Sequence, residues 1–159
     1  MNQRTNKRKR YLEQFIDEEQ ESNFSRSKPI PNNMELKVNS DFLNDAVFEE
    51  FPEETPEHIK TTLETMRNNL LEKSKRPMMK IEKEKTNKEL KQEFGVANLE
   101  KIIAGDENLY NYLHGLNSYG DMLIRHNMKQ AAKLVLEHAV KDINSDITKS
   151  HELLKSIQS

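Results

Sequence analysis

Residues 116–144 read LNSYGDMLIRHNMKQAAKLVLEHAVKDIN, and their pattern is the strongest indication of the fold in the sequence. Apolar side chains recur every three or four positions on both sides of Asn127, which is the spacing of helices with one buried face. Because Asn tolerates left-handed backbone angles, Asn127 predicts the turn between two helices. Gly120, Ala132 and Ala139 stand where the helices cross, since larger side chains would hold the two backbones apart. We therefore expect a tight helical hairpin.

The small and apolar positions of this hairpin follow a regular pattern. They are Leu116, Tyr119, Gly120, Leu123, Ala132, Leu136, Ala139 and Asn144. A shift of 34 residues places Leu153, Leu154 and Ile157 on the pattern of the first helix. In this spacing residues 112–159 resemble one tetratricopeptide repeat and the opening helix of a second, as in helical-repeat proteins of bacteria. The stretch departs from that family in lacking the first aromatic residue and the final proline.

The rest of the chain also carries helical periodicity, so the predicted fold is all-α. Five helices are expected, at about 57–76, 87–104, 107–126, 128–142 and 146–157. Gly105 is predicted to end the second helix and Asp106 to cap the third, with a bend near Gly95. No segment has the strict alternation of a strand, so no sheet is needed. The first two helices would cap the tetratricopeptide-like hairpin repeats on their N-terminal side.

The N-terminal third is predicted to be an arm outside the helical domain. Over residues 1–55 apolar positions form small islands, so we expect a disordered or loosely docked arm with short helical segments, followed by the domain at 56–159. Ser40 and Asp41 signal a helix start there. Five apolar residues follow in an acidic context: Phe42, Leu43, Val47, Phe48 and Phe51. This helix either docks into a groove on a partner or packs on the protein's own core.

Composition excludes several classes of function. The chain has 25 basic and 27 acidic residues, a net charge of −2, so attraction to nucleic acid or membrane must be local. The absence of cysteine removes disulfides and zinc sites built on thiolates. No apolar run approaches the roughly 20 residues that span a bilayer. We expect a soluble, cytoplasmic protein, and the abundance of Lys and Asn favours a bacterial source.

No constellation of residues indicates an enzyme. The five histidines never pair at the three- or four-residue spacing that places two metal ligands on one helical face. The sequence also has no phosphate-binding glycine loop and no glycine-flanked serine nucleophile. We therefore predict no catalytic residues, no metal site and no cofactor.

The resemblance implies a surface that binds another protein or a peptide. Proteins of this family bind on the inward face of their first helices, which here carries His114, Asn117, Asp121, Ile124, Arg125, His151 and Lys155. Some of them clamp a terminal carboxylate with Lys and Asn. Here Asp121 would repel a carboxylate unless Arg125 or Lys155 neutralises it. The implied function is that of a non-catalytic adaptor or regulatory subunit, and self-association stays open.

Two basic segments support an alternative from another class, a small nucleic-acid-associated factor. They are residues 4–10 and 73–91, and the acidic run that follows the first of them weakens its field. Residues 41–64 hold eight acids and one base, whereas 73–91 hold eight bases and three acids. We hypothesise that the acidic, Phe-bearing segment folds back onto the helical domain and is displaced by a partner.

Overall fold

The computed structural model describes Arg8 and residues 27–81, 85–145 and 147–158. This part of the chain is mostly helical. Its helices are α1 (Glu57–Ser74), α2 (Asn87–Arg125), α3 (Lys129–Glu137) and α4 (Thr148–Gln158), with short 3-10 helices at Asp41–Asn44 and Ala46–Glu49 and a π-helical turn at His138–Asp142. None of the helices in these ranges is long and apolar enough to cross a membrane.

The structure divides into two units, and the division differs from the boundary expected at residue 55. The first unit comprises the described residues within 1–37 and 76–109, and the second those within 38–75 and 110–159. Residues 38–55, expected to belong to the arm, are therefore part of the second unit. Of the disordered or loosely docked arm predicted at residues 1–55, residues 1–26 apart from Arg8 lie outside the described residues.

The first unit contains a small sheet that the sequence did not predict. Strand β1 (Glu35–Leu36) pairs antiparallel with β2 (Met78–Met79), with Glu35 opposite Met79. Two-residue strands are too short to show an alternating pattern, which explains why they could not be recognised in the sequence. The sheet packs with the first part of α2 around a core that includes Leu90, Leu99 and Ile102.

Helix α2 bends at Gly95 and continues past Gly105. The bend predicted near Gly95 is present, because that residue has φ +81° and ψ 169°, a conformation that glycine adopts readily. The helix end predicted at Gly105 and the cap predicted at Asp106 were wrong, since α2 continues to Arg125. A Cβ atom at position 105 would overlap the side chain of Met79. Gly105 therefore serves close packing on β2 and does not end the helix.

The hairpin predicted from residues 116–144 is present in the second unit. The amide of Met128 donates to the carbonyl of Leu123 at 2.8 Å, and the amide of Asn127 to Ile124 at 3.2 Å. Asn127 itself has φ +62°. These two bonds and the left-handed residue form a Schellman motif, which satisfies the last carbonyls of α2. The turn between the helices is thus the one that the sequence indicated.

The C-terminal half of the hairpin ends in a wider turn than expected. Helix α3 stops at Glu137, and residues 138–142 are π-helical, with the amide of Ile143 donating to the carbonyl of His138 at 3.1 Å. Asn144 then has φ +56° and ends the element. A π-helical turn rotates the side chains that follow it relative to a regular helix, and such turns are frequent at functional sites.

Residues 41–49 form two 3-10 helices where one amphipathic helix was expected; we call this segment the strap. Asp45 separates them with extended backbone angles, and its side chain accepts a hydrogen bond from the amide of Val47 at 2.9 Å. Ser40 does not cap the segment, because its hydroxyl bonds to that of Ser74 at 2.8 Å. Leu43 and Phe48 are nevertheless buried. The apolar residues are thus packed within the second unit.

Candidate functional site

Two of the seven residues predicted to bind a partner instead hold α4 in place. Asn117 is buried, and its Oδ1 accepts a hydrogen bond from the hydroxyl of Ser150 at 2.7 Å. The Nε2 of His151 donates to the carbonyl of Ser145 at 2.7 Å. The bond of Asn117 joins α2 to α4, so this side chain is not part of an open binding face, whereas His151 remains exposed on α4.

The other predicted residues lie at or near the surface but are spread over it. The guanidinium of Arg125 forms an ion pair with Asp121 at 3.1 Å, which is the neutralisation that the sequence suggested. Ile124 packs against the cluster of Leu136, Leu153 and Leu154. His114, whose ring lies 4.5 Å from that of Tyr110, and Lys155 are both exposed. The structure does not gather these residues into a single groove.

The apolar residues predicted to dock pack on the protein itself, which was one of the two possibilities. The Phe48 ring stacks on Tyr119 with a centroid separation of 5.9 Å, and the Phe42 ring lies 4.5 Å from the imidazole of His138. Phe51 is half-buried, and the ammonium of Lys60 lies 5.8 Å from its ring centroid. Val47, also half-buried, is the member of this set that lines an open cleft.

Two clefts lie beside the turn of the hairpin. One is lined by Val47 from the predicted docking segment, and the other by Arg125 from the predicted binding face. The smaller, of about 360 Å³, lies between Val47, Glu50 and residues 127–131. The larger, of about 480 Å³, lies between residues 52–56 and 125–127, and so includes Arg125. Asn127 lines both of them. We call these the Asn127 clefts, and they join the strap side of the unit to the end of α2.

The larger of the Asn127 clefts combines apolar walls with negative charge, whereas in the smaller one Lys129 offsets the charge of Glu50. Glu50, Glu53 and Glu54 are exposed, and none of them forms an ion pair with any residue that the structure describes. The positive charge of Arg125 is already compensated by Asp121. Pro52 and Pro56 supply apolar surface with fixed backbone angles. The clefts therefore suit a segment that carries both apolar and basic side chains.

The basic segments of the alternative hypothesis are partly neutralised within the protein. Arg8 pairs with buried Asp106 at 3.3 Å and donates to Asn87 at 2.7 Å. In the second segment, Lys75 pairs with Glu72 at 3.0 Å and Lys85 with Glu93 at 2.9 Å. The Lys85 contact holds the pKa of the Glu93 carboxyl below its ordinary value. The remaining residues of 4–10 and residues 82–84 lie outside the described ranges.

A buried polar network in the second unit was missed by sequence reasoning. The hydroxyl of Tyr112 lies 2.8 Å from Nε2 of His138, and Nδ1 of the same imidazole lies 3.0 Å from a carboxylate oxygen of Asp142. Burial lowers the pKa of His138 despite the opposing hydrogen bond and charge of Asp142, and burial raises the pKa of Tyr112. The spacing of His138 and Asp142, four residues apart on one helical face, was the only signal in the sequence.

The three side chains of this network are arranged in the order of an acid–base relay, but its tyrosine end is not accessible to a substrate. Tyr112 is fully buried and His138 is 4% exposed, so the tyrosine hydroxyl at the inner end of this network is closed to solvent. Asp142 is the member that reaches the surface. The arrangement is therefore suited to holding the strap and α2 against the π-helical turn. Comparison with known proteins finds no matching family model, no matching curated protein and no matching solved structure.

Proposed function

We propose that this chain is a non-catalytic protein-interaction module, an adaptor or regulatory subunit, that holds a segment of another protein in the Asn127 clefts. The observation that carries the proposal is a set of exposed carboxylates, those of Glu50, Glu53 and Glu54, which lie beside apolar walls and form no ion pair with any described residue. Side chains of this kind favour a peptide whose Lys or Arg residues flank apolar ones, because complementary charge orients such a segment and apolar burial retains it.

The frame around the clefts supports binding without rearrangement. Asn127 is fixed by the two backbone hydrogen bonds that close α2, and α3 starts directly after Met128, which is buried. A surface whose backbone is already fixed loses little conformational entropy on binding. The hairpin followed by α4 is also the helix order that a tetratricopeptide-like module would have, although the proposed surface is not the inward face of its first helices.

The alternative partner, nucleic acid, is less well supported by the charges. Arg8, Lys75 and Lys85 each form an ion pair with an acidic side chain, so their charge is less available to a phosphate backbone. The larger of the Asn127 clefts, where Glu53 and Glu54 are exposed and Arg125 is paired with Asp121, has the sign that repels phosphate. The proposal therefore assigns the chain to protein partners.

Affinity capture with three proteins tests this function. The wild type, a Glu53→Lys/Glu54→Lys double variant and a Glu152→Lys control are used to capture partners from a lysate of the source organism, read by mass spectrometry. Glu152 is exposed on α4 and lines neither cleft. We expect a partner that the wild type and the control retain and the double variant loses.

A direct assay of nucleic-acid binding completes this test. Filter binding of RNA and DNA across a range of salt concentrations should show no steep salt dependence, because Arg8, Lys75 and Lys85 are paired with acidic side chains and so contribute less to phosphate binding. Strong, salt-dependent retention of nucleic acid, together with capture that is indifferent to charge reversal at the clefts, would overturn the assignment to protein partners.

A further inference from the structure

We propose that His138 is a pH-sensitive latch, which holds the strap against the rest of the second unit at neutral pH and releases it under mildly acidic conditions. Three elements meet at this imidazole: Tyr112 from α2, Asp142 from its own π-helical turn and Phe42 from the strap. The latch affects how stably the strap packs, and this effect does not depend on a bound partner. Its consequence for the Asn127 clefts rests on the proposed function.

The neutral imidazole satisfies every polar group around it. A carboxylate only accepts hydrogen bonds, so Nδ1 of His138 carries the proton and donates to Asp142 at 3.0 Å. Nε2 is then the acceptor for the hydroxyl of Tyr112 at 2.8 Å. Burial of Tyr112 and His138 costs little under these conditions, because each donor has an acceptor.

Protonation of the imidazole breaks this match. A proton on Nε2 forces the oxygen of Tyr112 to accept, and the tyrosine hydroxyl proton then loses its acceptor in a fully buried position. The new positive charge sits on a side chain that is 4% exposed. Asp142 is the charged group that faces it, but its side chain is 70% exposed, so solvent screens the attraction. Burial accordingly lowers the pKa of His138.

The strap is the element that can move to bring water to the imidazole. The strap contacts the imidazole through the Phe42 ring, whose centroid lies 4.5 Å from that of His138 with the two planes tilted by 42°. The strap carboxylates nearest to Phe42 in sequence, Asp41 and Asp45, are exposed. The strap consists of two four-residue 3-10 helices, which have few and weak hydrogen bonds. Helices α2 and α3 are joined by the hairpin turn and a close crossing, so separating them costs more.

Opening the strap would also dismantle a binding surface. Val47 belongs to the strap, Glu50 follows it directly, and both line the smaller of the Asn127 clefts. If the clefts bind a partner as proposed, acid should weaken that binding through loss of this wall. A latch of this kind would release the partner in a mildly acidic environment.

Amide hydrogen exchange followed by NMR tests the latch in the full chain. Reporters in the strap are the amides of Leu43 and Asp45, which donate to the carbonyls of Ser40 and Phe42 at 3.0 and 3.1 Å, and the hairpin amide of Ala132 serves as reference. Because opening is linked to one proton, the open population should rise up to about tenfold per pH unit below the ordinary histidine pKa. Between pH 6.5 and 5.0 the protection of the strap amides, corrected for intrinsic exchange, should fall up to about sixteenfold, because the histidine of the open state is already half protonated at pH 6.5.

Two variants and one titration decide the outcome. His138→Gln should abolish the pH dependence, and His58→Gln, a change at an exposed histidine, should keep it. The latch is overturned if strap protection equals that of Ala132 at every pH, or if the pH dependence survives in His138→Gln. Should His138→Gln not fold, the wild-type imidazole signals must titrate together with those of Phe42 and Leu43; separate titrations would equally overturn it.

Discussion

Gly120 lies so close to Leu136 that a Cβ atom at position 120 would come within 2.9 Å of the Leu136 Cδ2. This contact is a close approach between α2 and α3, and the other small residues predicted at the crossing, Ala132 and Ala139, are fully buried. The crossing sets the distance between the two helices. The turn at Asn127 and the clefts beside it depend on that distance.

Replacing Gly120 by Val should destabilise the protein by about 1–3 kcal/mol, because the added methyl groups cannot fit beside buried Leu136. Gly120→Ala should cost less, since better helix propensity offsets part of the clash by about 1 kcal/mol. Urea unfolding monitored by circular dichroism measures both. Ser118→Ala, at an exposed position of the same helix, is the control. A Gly120→Val protein as stable as the wild type would show that the crossing is not tight.

Asn127 should be sensitive to alanine but not to glycine. Its φ of +62° is left-handed, so Asn127→Ala should lower stability by roughly 1 kcal/mol, while Asn127→Gly should be nearly neutral. Asn68→Ala is the matched control, since Asn68 is exposed within α1, where alanine favours the helix. Thermal and urea unfolding measure the effects. Equal losses for the alanine variants at 127 and 68 would contradict the role of backbone conformation.

Much of the hairpin was predictable because its signals are local. The small residues at the crossing and the left-handed Asn are read directly from neighbouring positions. The role of Gly105 was not predictable, because what it packs against is Met79, on a distant strand. A glycine that ends a helix and one that permits a close contact look alike in a sequence.

The burial of Asn117, a member of the predicted binding face, was not predictable for a related reason. Asn117 has the polarity of a surface residue, and only the position of Ser150 on α4 makes it a buried hydrogen-bond acceptor. The Tyr112–His138 contact likewise joins two helices, and sequence spacing could indicate only its Asp142 end. Local patterns predict elements, whereas sites between elements depend on packing.

Stability should decline as the pH falls below the ordinary value for histidine. The folded-state pKa of His138 is lowered, so below about pH 6.5 the unfolded chain binds a proton that the folded protein does not. The stabilisation is complete above that pH and is lost progressively as the pH falls toward the folded-state pKa. Urea midpoints between pH 7.5 and 5 measure it. His138→Gln should flatten the profile relative to His58→Gln, and parallel profiles would contradict the assignment to His138.

The buried bond between Asn117 and Ser150 should show strong coupling. Ser150→Ala leaves the Asn117 oxygen without its donor in a site where Nδ2 already lacks any partner among the described residues, so we expect a loss of about 1–3 kcal/mol. Adding Asn117→Leu should recover much of that loss, because no polar group is then left unpaired. A double-mutant cycle by urea unfolding measures the coupling. Additive effects would argue against the bond.

Binding at the Asn127 clefts is tested by the affinity of the captured partner for charge-reversal variants. Isothermal titration calorimetry would compare the wild type, the Glu53→Lys/Glu54→Lys variant and the Glu152→Lys control. We predict that the double variant raises the dissociation constant at least about tenfold, a loss of about 1.4 kcal/mol of binding free energy. The control should leave the dissociation constant unchanged. Equal affinity for all three proteins would contradict binding at the Asn127 clefts.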